Sequence, residues 1–231
     1  MDRVNVVSGE GIAVRPSTPD VVADHLRRAI IEGAITGGTQ LKQNDVAARF
    51  GVSVAPVREA LQRLVTEGLA VLHPNRGVTV TRLSEDDFME IAELRALLEP
   101  HALRLSAPNL TEHDLASAAA ILEQAASSTD LLLRSELHWK FHSRLYDRCD
   151  RPRLMAQLAQ LYAGITRYLL PVWSRKGLSA NWTESHLEIV AALRTGEIDL
   201  ACKLISDQIF EARERMRIEL RSIIETQGSR G

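Results

Sequence analysis

Two cysteines in 231 residues, Cys149 and Cys202, are too few and too far apart for a disulfide framework, and no Cys-x-x-Cys pair offers a thiolate zinc site. They read as small buried side chains of a protein in a reducing compartment. No stretch approaches the ~20 apolar residues of a membrane span, and no hydrophobic run follows Met1 to Asn5 to act as a signal peptide. A cytoplasmic protein with no membrane partner is expected. Charge of one sign is also lacking: 28 basic and 30 acidic residues leave a net charge of -2, whereas a dedicated nucleic-acid binder is usually basic. No fixed-period repeat or low-complexity run occurs. What remains, 45% apolar and 25% charged residues, is the composition of an ordinary globular chain of one large or two small domains.

The average hides a division. Up to Arg82 there are 10 basic against 8 acidic residues; after it, 18 against 22. Residues 1–18 show no periodicity and read as a flexible tail. A helix from Pro19 to about Glu32, capped by Asp20 or Thr18, keeps Val22, Leu26, Ala29 and Ile30 on one face. Leu41 starts a short second helix through Val46, Ala47 and Phe50, and Gly51 breaks it. Ser53 is placed to cap a third, Val54 to Glu67, on Val57, Leu61 and Leu64. The period then changes, and Leu69–Leu72 and Val78–Thr81 read as two strands about a His73–Gly77 turn.

After a linker at 83–86, helical periodicity fills 87–226 in six segments: Phe88–Leu105, Thr111–Ala126, Asp130–Cys149, Arg153–Trp173, Ser179–Arg194 and Glu197–Glu225. Short breaks between them make an antiparallel bundle. The fold class is therefore mainly α: a winged helix-turn-helix over 19–82, followed by an all-helical domain over 87–226.

In a winged helix-turn-helix the second helix of the pair enters the major groove and the hairpin reaches the neighbouring backbone or minor groove. Ser53 and the free N–H groups beside it suit a phosphate oxygen. Arg58, one turn on, can reach a phosphate or the edge of a guanine. Arg76 at the hairpin tip, its neighbours Asn75 and Gly77, and Asn44 on the preceding helix complete the expected contacts with double-stranded DNA. Glu59 and Arg63 could instead form only an i,i+4 surface pair.

These residues resemble the GntR family of bacterial transcription regulators. The pattern runs through Leu26–Gly33, Leu41, Val46-Ala47, Phe50–Ser53, Pro56–Leu61, Leu64, Glu67–Leu69 and Arg76-Gly77, covering residues 20 to 82. The chain departs from it at Val54 and Ala55, where members commonly have arginine and threonine, and at Gly38, where they usually have proline. The first change removes one expected DNA contact and shifts weight to Arg58 and the wing.

In the bundle, His138 and His142 are i,i+4 beside the apolar row Leu133, Leu137, Phe141 and Leu145, and His186 shares a side with Ile189, Val190 and Leu193. Imidazoles converging from two helices can build a divalent site; equally, each can be a satisfied half-buried histidine. Arg95, four residues before Glu99, can fork to a carboxylate if it faces inward, or pair with Glu99 on the surface. Arg167 and Tyr168 are further effector candidates.

The helical part resembles the FCD ligand-binding domain in its six-helix, VanR-like form, through Arg95–Glu99 and Phe141-His142. That resemblance implies a divalent ion of the Zn or Ni type, with family ligand positions falling on His138, His142, His186 and Gln208. An aspartate has become His138 and a histidine Gln208, so the site keeps no carboxylate and would favour an anionic effector. The resemblance further implies a homodimer on a palindromic operator, a repressor released by a small carboxylic or sugar acid. No nucleophile elbow, P-loop or His-Glu-x-x-His suggests an enzyme. The alternatives are a metal-dependent helical enzyme and a winged-helix protein-interaction module.

Overall fold

A computed structural model describes residues 17–74, 77–179 and 181–228. The first helix, α1 (Thr18–Ile31), opens with a capping box in which Ser17, not Asp20 or Thr18, is the cap. The Ser17 hydroxyl accepts from the Asp20 N–H at 3.4 Å, and the Asp20 carboxylate accepts from the Ser17 N–H at 2.9 Å. The expected tail therefore stops short of Ser17; residues 1–16 lie outside the described residues. Next comes β1 (Gln40–Leu41), a two-residue strand that sequence reading had assigned in part to a helix. It is followed by α2 (Gln43–Phe50) and α3 (Val54–Thr66), then β2 (Ala70–His73) and β3 (Gly77–Val80). The sheet is antiparallel in the order β1-β3-β2, with Leu41 opposite Val78 and Ala70 opposite Val80.

Helix α3 buries Val57, Ala60, Leu61 and Leu64, a 3.6-period face, against α1 and the sheet. Arg58 and Glu59 are thereby turned to solvent. Gly38 explains the missing proline. Its φ is 88°, its N–H donates to the Val80 carbonyl at 2.8 Å, and the Arg82 guanidinium lies where a Cβ would stand. A proline, fixed near φ -65° and without an N–H, fits none of these.

The bundle comprises α4 (Glu85–Ser106), α5 (Glu112–Ser127), α6 (Leu131–Tyr146), α7 (Pro152–Lys176), α8 (Trp182–Arg194) and α9 (Ile198–Gly228). Helix α4 starts inside the expected 83–86 linker because the Ser84 hydroxyl accepts the Asp87 N–H at 3.3 Å. Helix α4 packs on α9 and α7, and α5 on α6 and α8. Short turns, including Ala107–Asn109 and Asp147–Cys149, keep these neighbours antiparallel. Asp114 closes α5 with a second capping box and ties in Arg144 at 2.8 Å and Arg148 at 3.2 Å.

Helix α7 touches both parts of the molecule. Ile165, Tyr168 and Leu169 belong to the bundle core, while Leu170, fully buried, sits in the core of the winged helix with Leu26, Leu64 and Leu69. Burying such a leucine contributes about 1.5–3 kcal/mol. Gly68 lets the two parts approach: with φ 72°, its missing Cβ would lie 3.1 Å from the Ala163 carbonyl oxygen.

Candidate functional site

The residues expected to read DNA divide by what surrounds them. Helix α3 begins at Ser53, whose extended backbone is that of an N-cap but whose side chain makes no capping bond, so the hydroxyl and the first-turn N–H groups are open to a ligand. Asn44, Ser53, Arg58 and Gly77 are all exposed. The Glu59–Arg63 pair does not form: Arg63 reaches back to Asp20, while Arg27 binds Asp24 and Glu67. Arg58 has no acidic partner among the described residues. Asn75 and Arg76 lie outside the described residues. Lys42, exposed immediately before α2, lies beside Gly77 on the same surface.

The three histidines meet. His138 and His142 from α6 and His186 from α8 are buried, and Nε2 of His138 lies 3.1 Å from Nε2 of each of the others. The second ring nitrogens fix two tautomers. Nδ1–H of His186 donates to the Trp182 carbonyl at 2.6 Å. Nδ1–H of His142 donates to the Tyr146 hydroxyl at 3.2 Å, because that hydroxyl itself donates to Glu99 at 2.7 Å. Both histidines therefore turn bare Nε2 lone pairs towards His138, which can donate to only one of them. Its own Nδ1 is buried without a partner.

Protonation offers no relief. Burial holds His138 and His142 well below the ordinary histidine range, aided by the neighbouring rings and Arg95, and brings His186 down to about 4. Three neutral imidazoles facing one point fit a divalent cation. Tetrahedral zinc with N at 2.0–2.1 Å separates its ligands by about 3.4 Å, close to the two 3.1 Å separations from His138, and all three nitrogens lie within 4.8 Å of one another. The clustered donors are the three imidazole nitrogens; Gln208, whose amide N–H goes to the Ser185 carbonyl, also lines the cavity.

Arg95 faces inward and is nevertheless occupied. Its Nε donates to Glu99 at 2.6 Å and its terminal nitrogen to the Tyr162 hydroxyl at 2.8 Å, with the guanidinium 4.2 Å from the Tyr162 ring centre. Burial opposes its charge, but Glu99 and Tyr162 outweigh that and raise its pKa above the ordinary value. Glu99, fully buried, also accepts from the Tyr162 hydroxyl at 3.0 Å. Sequence reading missed Glu99, Tyr146 and Tyr162 as the layer orienting the histidines. Arg167 and Tyr168 are not brought to this site. Both bind Asp87 in the first turn of α4, and neither lines the cavity.

The histidines close the buried end of a cavity of about 310 Å³. Its walls are mostly apolar, from α4, α7, α8 and α9, with Ser179, Asn181, Ser185 and Gln208 among them, and Lys176, Glu211, Arg213, Arg215 and Glu219 stand at its open end.

With this geometry in place, two family models match the chain: "Bacterial regulatory proteins, gntR family" over residues 18–80, and the FCD domain over 90–210. The chain belongs to the GntR family. It is 32% identical to the transcriptional regulator McbR of Escherichia coli over 144 residues, 61% of this chain and 65% of McbR. It is 28% identical to the repressor RspR of the same species over 83% of this chain and 86% of RspR. A solved GntR family regulator from Pseudomonas syringae pv. tomato shares 31% identity and a TM-score of 0.57, covering 92% of this chain and 89% of that one. As a GntR regulator with an FCD domain, the protein is a DNA-binding transcription regulator and not an enzyme. Among the described residues no helix is long and apolar enough to cross a membrane.

Proposed function

We propose that this regulator is a cytoplasmic homodimeric repressor that carries a divalent ion on His138, His142 and His186 and leaves its operator when a small acid enters the cavity. Residues 19–82 read DNA and 87–226 sense and dimerise. Ser53, Arg58 and the wing contact one half of a palindrome, as two-fold symmetry requires. The observation that carries the sensing role is the convergence of three uncharged imidazoles at the closed end of a cavity. A bound Zn or Ni ion supplies positive charge there. The protein's own part is to hold the rings: Tyr146 and the Trp182 carbonyl fix two tautomers, and Glu99 orients Tyr146.

Helix α7 supports coupling, because Leu169 lines the cavity while Leu170 lies in the winged-helix core. A shift of α7 on effector entry moves both heads of a dimer together. By linkage, operator DNA then lowers effector affinity by the same factor.

The test is metal content and DNA binding measured side by side. Purified protein should hold one Zn or Ni per chain, His142→Ala should lose it, and both should fold. Both should retard a fragment from upstream of the regulator's own gene when no effector is present. A His142→Ala protein that keeps stoichiometric metal overturns the histidine site.

A further inference from the structure

We propose that the cavity is built for an aromatic monocarboxylic acid and discriminates against sugar acids. This deepens the effector reading above and rests on it.

The cavity has three zones. At the closed end stand the three imidazoles. The middle is walled by Phe88, Ile165, Leu169 and Val172 on one side and by Ile205, Ile209 and Met216 on the other. Trp173 and Trp182 meet edge to face there, 6.5 Å apart at 80°, each also packing on His138. Such walls offer a ring dispersion contacts and edge-to-face partners, and offer a hydroxyl few partners, Ser179 and Asn181 being polar lining residues beside the apolar ones.

Three of the polar side chains near the closed end already have partners within the protein. Arg95 holds Glu99 and Tyr162, the Gln208 amide N–H is given to the Ser185 carbonyl, and the Ser185 hydroxyl donates to the Trp182 carbonyl at 3.1 Å. A chain of four or five hydroxyls would leave most of them without partners, at a cost of about tenfold or more in affinity for each.

The acid group belongs at the closed end, because Arg95 is already committed to Glu99 and Tyr162 and a divalent ion held by the converging imidazole nitrogens would supply the positive charge there. A second carboxylate would have to lie at the open end, where Glu211 and Glu219 stand among Lys176, Arg213 and Arg215, and where Lys176 already pairs with Glu219 at 3.3 Å. One acid group and a flat apolar body therefore match the zones in order. At about 310 Å³ the space lies at the lower end of small-molecule pockets, suited to one or two rings.

Two of the three tryptophans line the cavity, so fluorescence of the full-length protein reports on it directly. Zinc-loaded protein is titrated with benzoate, 2-naphthoate, D-gluconate and succinate. Saturable quenching by an aryl acid, at least tenfold tighter than by gluconate or succinate, is the expected result. Loss of that quenching after zinc is stripped by a chelator is expected as well. Gluconate binding as tightly as the aryl acids overturns the aromatic assignment and leaves the effector cavity standing. Aryl-acid affinity unchanged without zinc overturns the placement of the acid at the histidines. If none of the four acids binds, the inference fails. Zinc bound at one per chain in that case keeps the histidine site, whereas absence of zinc binding removes the underlying reading too.

Discussion

Arg58 in the winged helix and Arg95 in the bundle lie on helices of the same chain and meet opposite surroundings. Arg58 is exposed with no acid beside it among the described residues; Arg95 is 8% exposed and holds Glu99, Tyr162 and an aromatic face. The difference follows from solvation. An exposed guanidinium is stabilised by water and can exchange that water for a phosphate, whereas a buried one must be compensated within the protein. Arg58 thus stays available to a partner, whereas Arg27 and Arg63 of the same head are held in ion pairs. In the bundle Arg95 is committed to Glu99 and Tyr162, so under the proposed function the positive charge for an anionic effector would come from an ion held by the histidines.

The contrast breaks most visibly at the two glutamates. Glu99→Ala leaves Arg95 buried and unpaired and should cost about 3–5 kcal/mol in urea unfolding. Glu59→Ala, on the exposed face of α3, should stay within about 0.5 kcal/mol. Equal effects would show that burial does not separate the two regions. Leu170→Ala should cost about 2–5 kcal/mol, because it opens a cavity in the head from a residue of the bundle. Chemical denaturation monitored at the head by hydrogen exchange checks it; protection lost only in the bundle contradicts the shared core.

Arg58→Ala should weaken operator binding by about 1–3 kcal/mol while zinc content and the melting temperature hold. If Arg58 meets a phosphate, the salt dependence of log K should also flatten by about 0.9. The smallest expected effect is at acid pH. The Thr111 backbone N–H, then Arg148 and the Thr111 hydroxyl, hold the Asp114 carboxyl below its ordinary value. A carboxylate lowered in the folded state stabilises above its unfolded pKa, and that contribution declines from about pH 5 downward. Asp114→Asn should therefore flatten the acid limb of a stability-against-pH curve and leave its slope above pH 6 unchanged.

The helices were legible because a 3.6-residue period sustained over a dozen or more positions is hard to imitate. All six bundle segments and three head helices lie close to where Leu26, Leu61, Phe141 and Ile189 put them. Strand β1 was not, since two residues carry no period and Gln40–Leu41 is a strand only through pairing with β3. The histidine cluster was legible from i,i+4 spacing on α6 and an inward residue on α8. Its supporting layer was not, because Tyr146 and Tyr162 reach Glu99 from 47 and 63 residues away. One signal was available: Tyr146 follows His142 by four, as Glu99 follows Arg95. Arg167 and Tyr168 misled for the same reason, their partner Asp87 being 80 and 81 residues distant.

Leu170 carries a consequence for how such proteins diversify. A winged helix whose interior is completed by a side chain from the sensing part is not a freely exchangeable unit. A recombination event that joined this head to another FCD bundle would have to bring a large apolar residue to the same place on α7, or leave a hole beneath the DNA-reading helix. Heads and sensors of this architecture should therefore be inherited as matched pairs, and new specificities should arise by changing cavity walls or α3 surface residues while the junction between them stays fixed.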